Sequence, residues 1–187
     1  LNLQDDITRF IPDYPTQGHT ITIEHLLTHT SGIQSYTGMK DYFSRMHIDL
    51  KPTEMIDYFK NEPMKFAPGS QFNYNNSGYF LLGYIIEVIT GQPYGKYLEN
   101  QIFKPLGMTH SFYGSDDAIT TERASGYSEG DQGKIPAAPL SMTQPYAAGS
   151  IQSTVSDLFK WQQALLSHTL ISKESLEKAF TPYTLTD

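Results

Sequence analysis

Tyr74-Asn75-Asn76-Ser77-Gly78-Tyr79-Phe80-Leu81-Leu82-Gly83-Tyr84-Ile85-Ile86-Glu87-Val88-Ile89-Thr90-Gly91 is the stretch whose reading decides the fold. From Tyr79 to Ile89 it is apolar on nearly every side, and Glu87 is its only charge. A helix of that composition has no wet face, so it is predicted to be buried. Ser77 or Asn76 is placed to cap its start, and Gly91 to end it in a left-handed conformation. Directly ahead stands a Tyr-x-Asn element, Tyr74 and Asn76.

Working outward, helices dominate. Thr22 is placed to cap a short helix through Thr28, with Ile23, Leu26 and Leu27 on its apolar face. A second helix is predicted from Pro52 or Thr53 to Pro63, with Met55, Ile56 and Phe59 inward. Another runs from about Pro93 to Phe103. Residues 107–146 turn to Gly, Pro, Ser and Thr, which predicts loops with one or two short strands around Ala124 to Tyr127. Thr154-Val155-Ser156-Asp157 then resembles a capping box with Asp in place of Glu. The helix behind it carries Leu158, Phe159, Trp161, Leu165 and Leu166, and Trp161 reads as core. Ser172 is placed to cap a last helix to about Phe180. No Val/Ile-rich strands alternate with these helices, so a parallel sheet is not expected.

Composition sets outer bounds. The 187 residues are 39% hydrophobic and 13% aromatic, enough for a real core and unlike a disordered chain. A formal charge of −7 with no basic cluster argues against nucleic acid as a partner. There is no cysteine, hence no disulfide and no thiolate metal site. No apolar run reaches the length of a membrane span. The opening residues, Leu1-Asn2-Leu3-Gln4-Asp5-Asp6-Ile7, read as one element running into the next, as expected of a fragment.

Tyr74 is the first candidate for chemistry. A free tyrosine ionises near pH 10, so it serves as a base only where its anion is stabilised. A helix start supplies partial positive charge and unpaired N–H groups. Asn76 carries both a donor and an acceptor with which to orient a carbonyl. On spacing alone, the better reading of the pair is a buried tyrosine and an Asn cap. Ser175-Leu176-Glu177-Lys178 fits Ser-x-x-Lys, but on a helix whose Lys173, Glu174, Glu177 and Lys178 read as a solvated face. Nothing there would shift the lysine pKa. Ser31, in Thr30-Ser31-Gly32, reads as part of a helix-ending turn. His25 and His29, four apart, would share a helix face at metal-ligand spacing; with no third ligand evident, no metal is expected.

Four stretches together carry a family resemblance. Tyr74 to Glu87 resembles the Tyr-x-Asn region of the serine β-lactamase-related hydrolases, a family that includes class C β-lactamases, D-alanyl-D-alanine carboxypeptidases and esterases. Ile23-Glu24-His25-Leu26-Leu27-Thr28-His29-Thr30-Ser31-Gly32-Ile33 resembles its HLLTHTSG block, and Phe66-Ala67-Pro68-Gly69 its approach to the tyrosine. Ala147-Ala148-Gly149-Ser150-Ile151-Gln152-Ser153-Thr154-Val155-Ser156-Asp157-Leu158 resembles its later AGG-x-x-S-T-x-x-D-L block. The four occur in the family's order across most of the chain.

The resemblance implies a proton-relay role for Tyr74 and an orienting role for Asn76. It implies a fold class that is mainly α here and α+β in the parent: the helical subdomain of the β-lactamase/penicillin-binding transpeptidase-like fold, lacking most of the sheet. Residues 1–187 are expected to form a single central helical region, loop-rich over about 107–146. The family's nucleophile, Ser-x-x-Lys, would precede the part resembling Leu1 to Pro12, and its Lys-Thr-Gly or His-x-Gly element would follow Asp187. The implied function is that of a fragment of a serine hydrolase acting on amide or ester bonds through an acyl-serine, inactive alone and needing no cofactor. The alternative is a non-catalytic binding protein on the same scaffold, recognising cell-wall peptides. Tyr36, Tyr113 and Tyr146, in loops near the matched blocks, are expected to line a substrate cleft. The partners implied are a small-molecule or peptide substrate of the parent and, for the fragment, further copies of itself. The residues leave the compartment open; the resemblance implies a bacterial extracytoplasmic one.

Overall fold

The computed structural model describes residues 1–115 and 119–186. Its helices are α1 (Ile23–Leu27), α2 (Tyr42–Arg45), α3 (Pro52–Phe59), α4 (Asn76–Thr90), α5 (Tyr94–Leu98), α6 (Val155–Leu166) and α7 (Lys173–Phe180). Four strands complete it: β1 (Phe112–Tyr113), β2 (Tyr127–Gly130), β3 (Gly133–Pro136) and β4 (Ile151–Gln152).

Helices α1, α3 and α5 and the turns at 36–38 and 146–148 pack against α4. Its cap is Asn75, not Asn76 or Ser77: the Asn75 backbone is extended, and its Oδ1 accepts the Gly78 N–H at 3.0 Å. That geometry spans three residues, so the cap must sit one position earlier than the first apolar residue suggests. Ser77 is instead buried and ties α4 to the preceding loop. Its Oγ donates to the Gln34 carbonyl at 2.8 Å and accepts the Tyr36 N–H at 2.9 Å. At the far end Gly91 closes the helix at φ 66°, its N–H donating to the Glu87 carbonyl.

The buried face of α4 carries Phe80, Leu81 and Ile85. Phe80 meets Tyr36 and Phe59 edge-on, with centroids 6.0 and 6.4 Å apart, and Ile7, Ile21, Leu26, Met55 and Ile56 fill the space around them. Burial is not complete round the helix: Val88 and Ile89, in its last turns, are exposed. Gly83 is where the chain crosses closest, since a Cβ there would lie 2.3 Å from the Ala147 Cβ and 2.8 Å from the Tyr146 ring. A side chain at position 83 would push the 146–148 turn off the helix.

The region after α5 departs furthest from the sequence-based expectation. Helix α5 runs into a π-helical segment, Glu99–Phe103, so the element expected from Pro93 to Phe103 changes hydrogen-bond pattern midway. The strand signal near Ala124 to Tyr127 belongs to an exposed antiparallel hairpin, β2 with β3, that begins at Tyr127. Strands β1 and β4 pair antiparallel through Phe112 with Gln152 and Tyr113 with Ile151. At two residues each they are too short to show a period. Residues 116–118 of the expected loop-rich section lie outside the described residues.

Asp157 corrects the capping-box expectation. Thr154 Oγ1 does accept the Asp157 N–H at 3.3 Å, but the carboxylate does not reach back to the cap. It turns inward, where Oδ2 accepts the His110 N–H at 2.7 Å and the Ser111 hydroxyl at 2.9 Å, and Oδ1 meets Lys160 Nζ at 2.8 Å. Aspartate is one methylene shorter than the usual glutamate, and the His110 amide and the buried Ser111 hydroxyl compete for it. No helix among the described residues is long and apolar enough to cross a membrane.

Candidate active site

Tyr74 precedes α4, outside regular structure, and stands 61% exposed. It borders a 410 Å³ cavity whose other walls are His29, Tyr79, Ala147, Ala148, Gly149 and Ile151. Three of the stretches singled out in the sequence therefore meet at one place: the turn after α1, the approach to α4, and the Ala-Ala-Gly turn before β4. Burial first, and then the nearby Tyr74 phenol, raises the pKa of Tyr79. The same phenol also opposes ionisation of Tyr36, whose own burial is the larger cause.

Asn76 opens α4 and is half-buried. Its Nδ2 donates to Thr37 Oγ1 at 3.1 Å and its N–H to Ser35 Oγ at 3.3 Å, while Ser35 and Thr37 bond to each other at 3.0 Å. Asn76 thus anchors a small hydroxyl network beside the tyrosine and is not among the residues lining the cavity.

The three loop tyrosines separate. Tyr36 is core: the Ser77 bond pins its backbone under α4, and its ring is driven between Tyr42, Phe59 and Phe80. It therefore has no ring face to offer a cleft. Tyr113 and Tyr146 line a second, larger cavity of 870 Å³ with Tyr94, Phe103, Met108 and Glu87. The Tyr146 ring passes into the core at 4.7 Å from Phe80, while its neighbours Ala147 and Ala148 wall the smaller cavity. Its hydroxyl is buried beside Glu87 and finds no partner in good hydrogen-bond geometry among the described residues. Burial, aided by the nearby Glu87 carboxylate, pushes its pKa far above that of a free phenol.

The two histidines do not share a helix face, because α1 ends at Leu27 and His29 lies beyond it at φ 59°. Each accepts a backbone N–H at Nδ1: His25 from Thr22 at 3.2 Å, His29 from Asn75 at 3.1 Å. Partial burial lowers the pKa of both. Among the described residues no three His, Cys, Asp or Glu side chains converge as metal ligands. His29 was not legible as a site residue, because neither its left-handed backbone nor its ring contacts leave a mark in spacing.

The alternative serines are accounted for locally. Ser31 is buried, accepts the Ile33 N–H, and precedes Gly32 at φ 72°, whose Cβ position lies 2.1 Å from the Phe66 carbonyl oxygen. Ser175 Oγ accepts from its own cap, Ser172. Lys178 is hydrogen-bonded to Glu174 at 2.8 Å, which raises its pKa, the opposite of what a lysine base requires.

The β-lactamase family model matches residues 1–186. The chain belongs to that family. Among relatives of this β-lactamase-family chain, PbpX of Bacillus subtilis is 36% identical over 187 residues, a match covering 97% of this chain and 44% of PbpX. The D-stereospecific amidohydrolase of a Streptomyces species superposes with a TM-score of 0.85 at 28% identity, over all of this chain and 59% of that one. The octameric penicillin-binding protein homologue of Pyrococcus abyssi superposes with a TM-score of 0.79 at 32% identity, over 98% of this chain and 44% of that one. The chain thus has the local fold of penicillin-binding-protein-like serine hydrolases and spans about half the length of these relatives.

Proposed function

We propose that this chain supplies the tyrosine side of a serine acyl-transfer site that cleaves amide or ester bonds. The observation that carries the reading is the exposed Tyr74 at a cavity where three family blocks converge. In the complete protein a serine Oγ would attack the substrate carbonyl, forming the Oγ–C bond. Collapse of the tetrahedral intermediate would break the bond to the leaving amine or alcohol, which takes up a proton, and water would then release the acyl group. Tyr74 would carry the proton in both halves, and Asn76 would orient the site through the Ser35–Thr37 network. A relative described as an amidohydrolase supports amides within the substrate class. This chemistry calls for no metal or organic cofactor.

The 187 residues contain one Ser-x-x-Lys, at Ser175, in a setting unsuited to nucleophilic attack. We therefore propose that the chain by itself forms no acyl-enzyme. Intact-mass spectrometry after exposure to a fluorophosphonate, and separately to a penicillin, tests this. No adduct is expected, and a single stoichiometric adduct mapped to Ser175 or Ser31 would move the site. In a protein that carries this chain together with the serine and lysine, Tyr74→Phe should lower kcat by about 10²–10⁴-fold. Unchanged turnover would remove the relay role.

A further inference from the structure

His29 is the group beside Tyr74 that the acyl-transfer reading leaves unused. At φ 59° it occupies the left-handed region, which residues with a Cβ enter only at a cost. From there it grips the Tyr74 segment on both sides. Its carbonyl accepts the Asn73 N–H at 2.9 Å, and its Nδ1 accepts the Asn75 N–H at 3.1 Å. Its ring lies 4.5 Å from the Tyr74 ring, tilted by 39°, and stacks on Tyr79 at 4.9 Å and 22°. Tyr79 in turn is tethered by its hydroxyl, which donates to the Leu27 carbonyl at 3.1 Å. The order is a fixed ring, the histidine, and then the exposed phenol.

An exposed tyrosine outside regular structure would ordinarily sample several rotamers, and a proton carrier must be held near one geometry to be useful. We infer that His29 is the positioning residue of Tyr74, fixing the phenol at the cavity by binding the amides on either side of it and packing its tilted ring against the tyrosine's. The catalytic meaning of this rests on the acyl-transfer reading; the positioning does not. The Asn75 bond requires an unprotonated Nδ1, so the ring proton sits on Nε2.

The test is NMR on the 187-residue chain with ¹³C-labelled tyrosine rings and ¹⁵N-labelled histidine, the Tyr74 signal being assigned with Tyr74→Phe. In the unmodified protein His29 should show the Nε2–H tautomer and ring-to-ring Overhauser contacts to Tyr74 and Tyr79. His29→Asn keeps a residue tolerant of positive φ and offers Oδ1 as acceptor without a ring, whereas His29→Gly keeps only the backbone. Tyr74 ring signals should move toward those of free tyrosine in both variants. The Asn75 amide should keep its low-field shift in His29→Asn and lose it in His29→Gly.

Unmoved Tyr74 signals in both variants would overturn the inference. So would an Nδ1–H tautomer or missing Tyr74 contacts in the unmodified protein, a readout that stands even if a variant fails to fold. In a protein that also carries the serine and lysine, His29→Asn should lower kcat more than it changes KM. If the NMR signature is present and kcat is unchanged, the catalytic meaning of the positioning fails while the positioning itself stands; failure of the acyl-transfer reading is read separately, from Tyr74→Phe.

Discussion

Helices α4 and α6 carry similar apolar stripes and meet opposite fates. On α4, Phe80, Leu81 and Ile85 disappear beneath Tyr36, Phe59 and Tyr146. On α6, Val155, Leu158 and Phe159 stand 86%, 54% and 60% exposed, with Leu166 on the same side, while the one acidic residue of the first turn, Asp157, is wholly buried. The hydrophobic pattern of a helix says which face wants cover. Only the surrounding chain says whether cover is there. Among the described residues nothing lies over the α6 stripe.

Core truncation should break the symmetry of the comparison most strongly. Phe80→Ala is expected to cost about 3–5 kcal/mol in chemical denaturation, by lost burial plus cavity. Phe159→Ala, on the uncovered stripe, should stay within about 0.5 kcal/mol. Equal losses would mean that α6 is covered in solution.

Asp157 tests the inverted face. Burial works against its charge, but Lys160, the His110 amide and the Ser111 hydroxyl outweigh it and hold the carboxyl below its ordinary pKa. Asp157→Ala should cost about 1.5–3 kcal/mol, since it strands the buried Ser111 hydroxyl and takes a partner from the His110 amide. A carboxylate with a depressed folded pKa contributes stability above its unfolded value, near 3.9, and loses it as pH falls through the lower folded value. The gap between wild type and Asp157→Ala should therefore be full at pH 6 and shrink below about pH 4. A gap constant with pH would assign the loss to packing.

Gly83→Ala sharpens the α4 side. The added methyl meets Ala147 and the Tyr146 ring, so a cost of about 1–3 kcal/mol is expected from overpacking, together with a changed wall of the 410 Å³ cavity. A neutral result would show that the 146–148 turn yields freely.

The smallest effect on stability, and the clearest on assembly, should come from Leu158→Ser with Phe159→Ser. If a second copy covers the stripe, sedimentation should show association of the unmodified chain that this double variant weakens. A monomer at all concentrations would count against self-association.

Much of the fold was legible because long apolar runs and their caps are local signals. The Thr22, Ser172 and Thr154 caps and the inward Met55, Ile56 and Phe59 follow from spacing alone. The cap of α4 was misplaced by one or two residues, because Asn75, Asn76 and Ser77 are all competent and only the backbone torsions choose among them. The convergence of Tyr74 with the 147–149 turn was not legible, because the two are more than seventy residues apart and meet only in the fold. Tyr36 was misjudged because loop tyrosines and core tyrosines look alike until a distant serine pins the backbone.

By itself, the sequence determined where most of the helices lie, though not α2 or the end of α3 at Phe59, that α4 carries a buried face, and the family to which the chain belongs. These rest on periodicity, capping chemistry and an ordered set of short motifs, all of which act over a few residues. Tertiary structure decided that Asp157 faces inward, that His29 adopts a left-handed backbone and grips Tyr74, and that Tyr36 is core. Each depends on a partner tens of residues away, such as His110 for Asp157, Asn75 for His29 and Ser77 for Tyr36. A buried polar group takes whichever partner the fold brings within about 3 Å, and that choice leaves no local pattern to read.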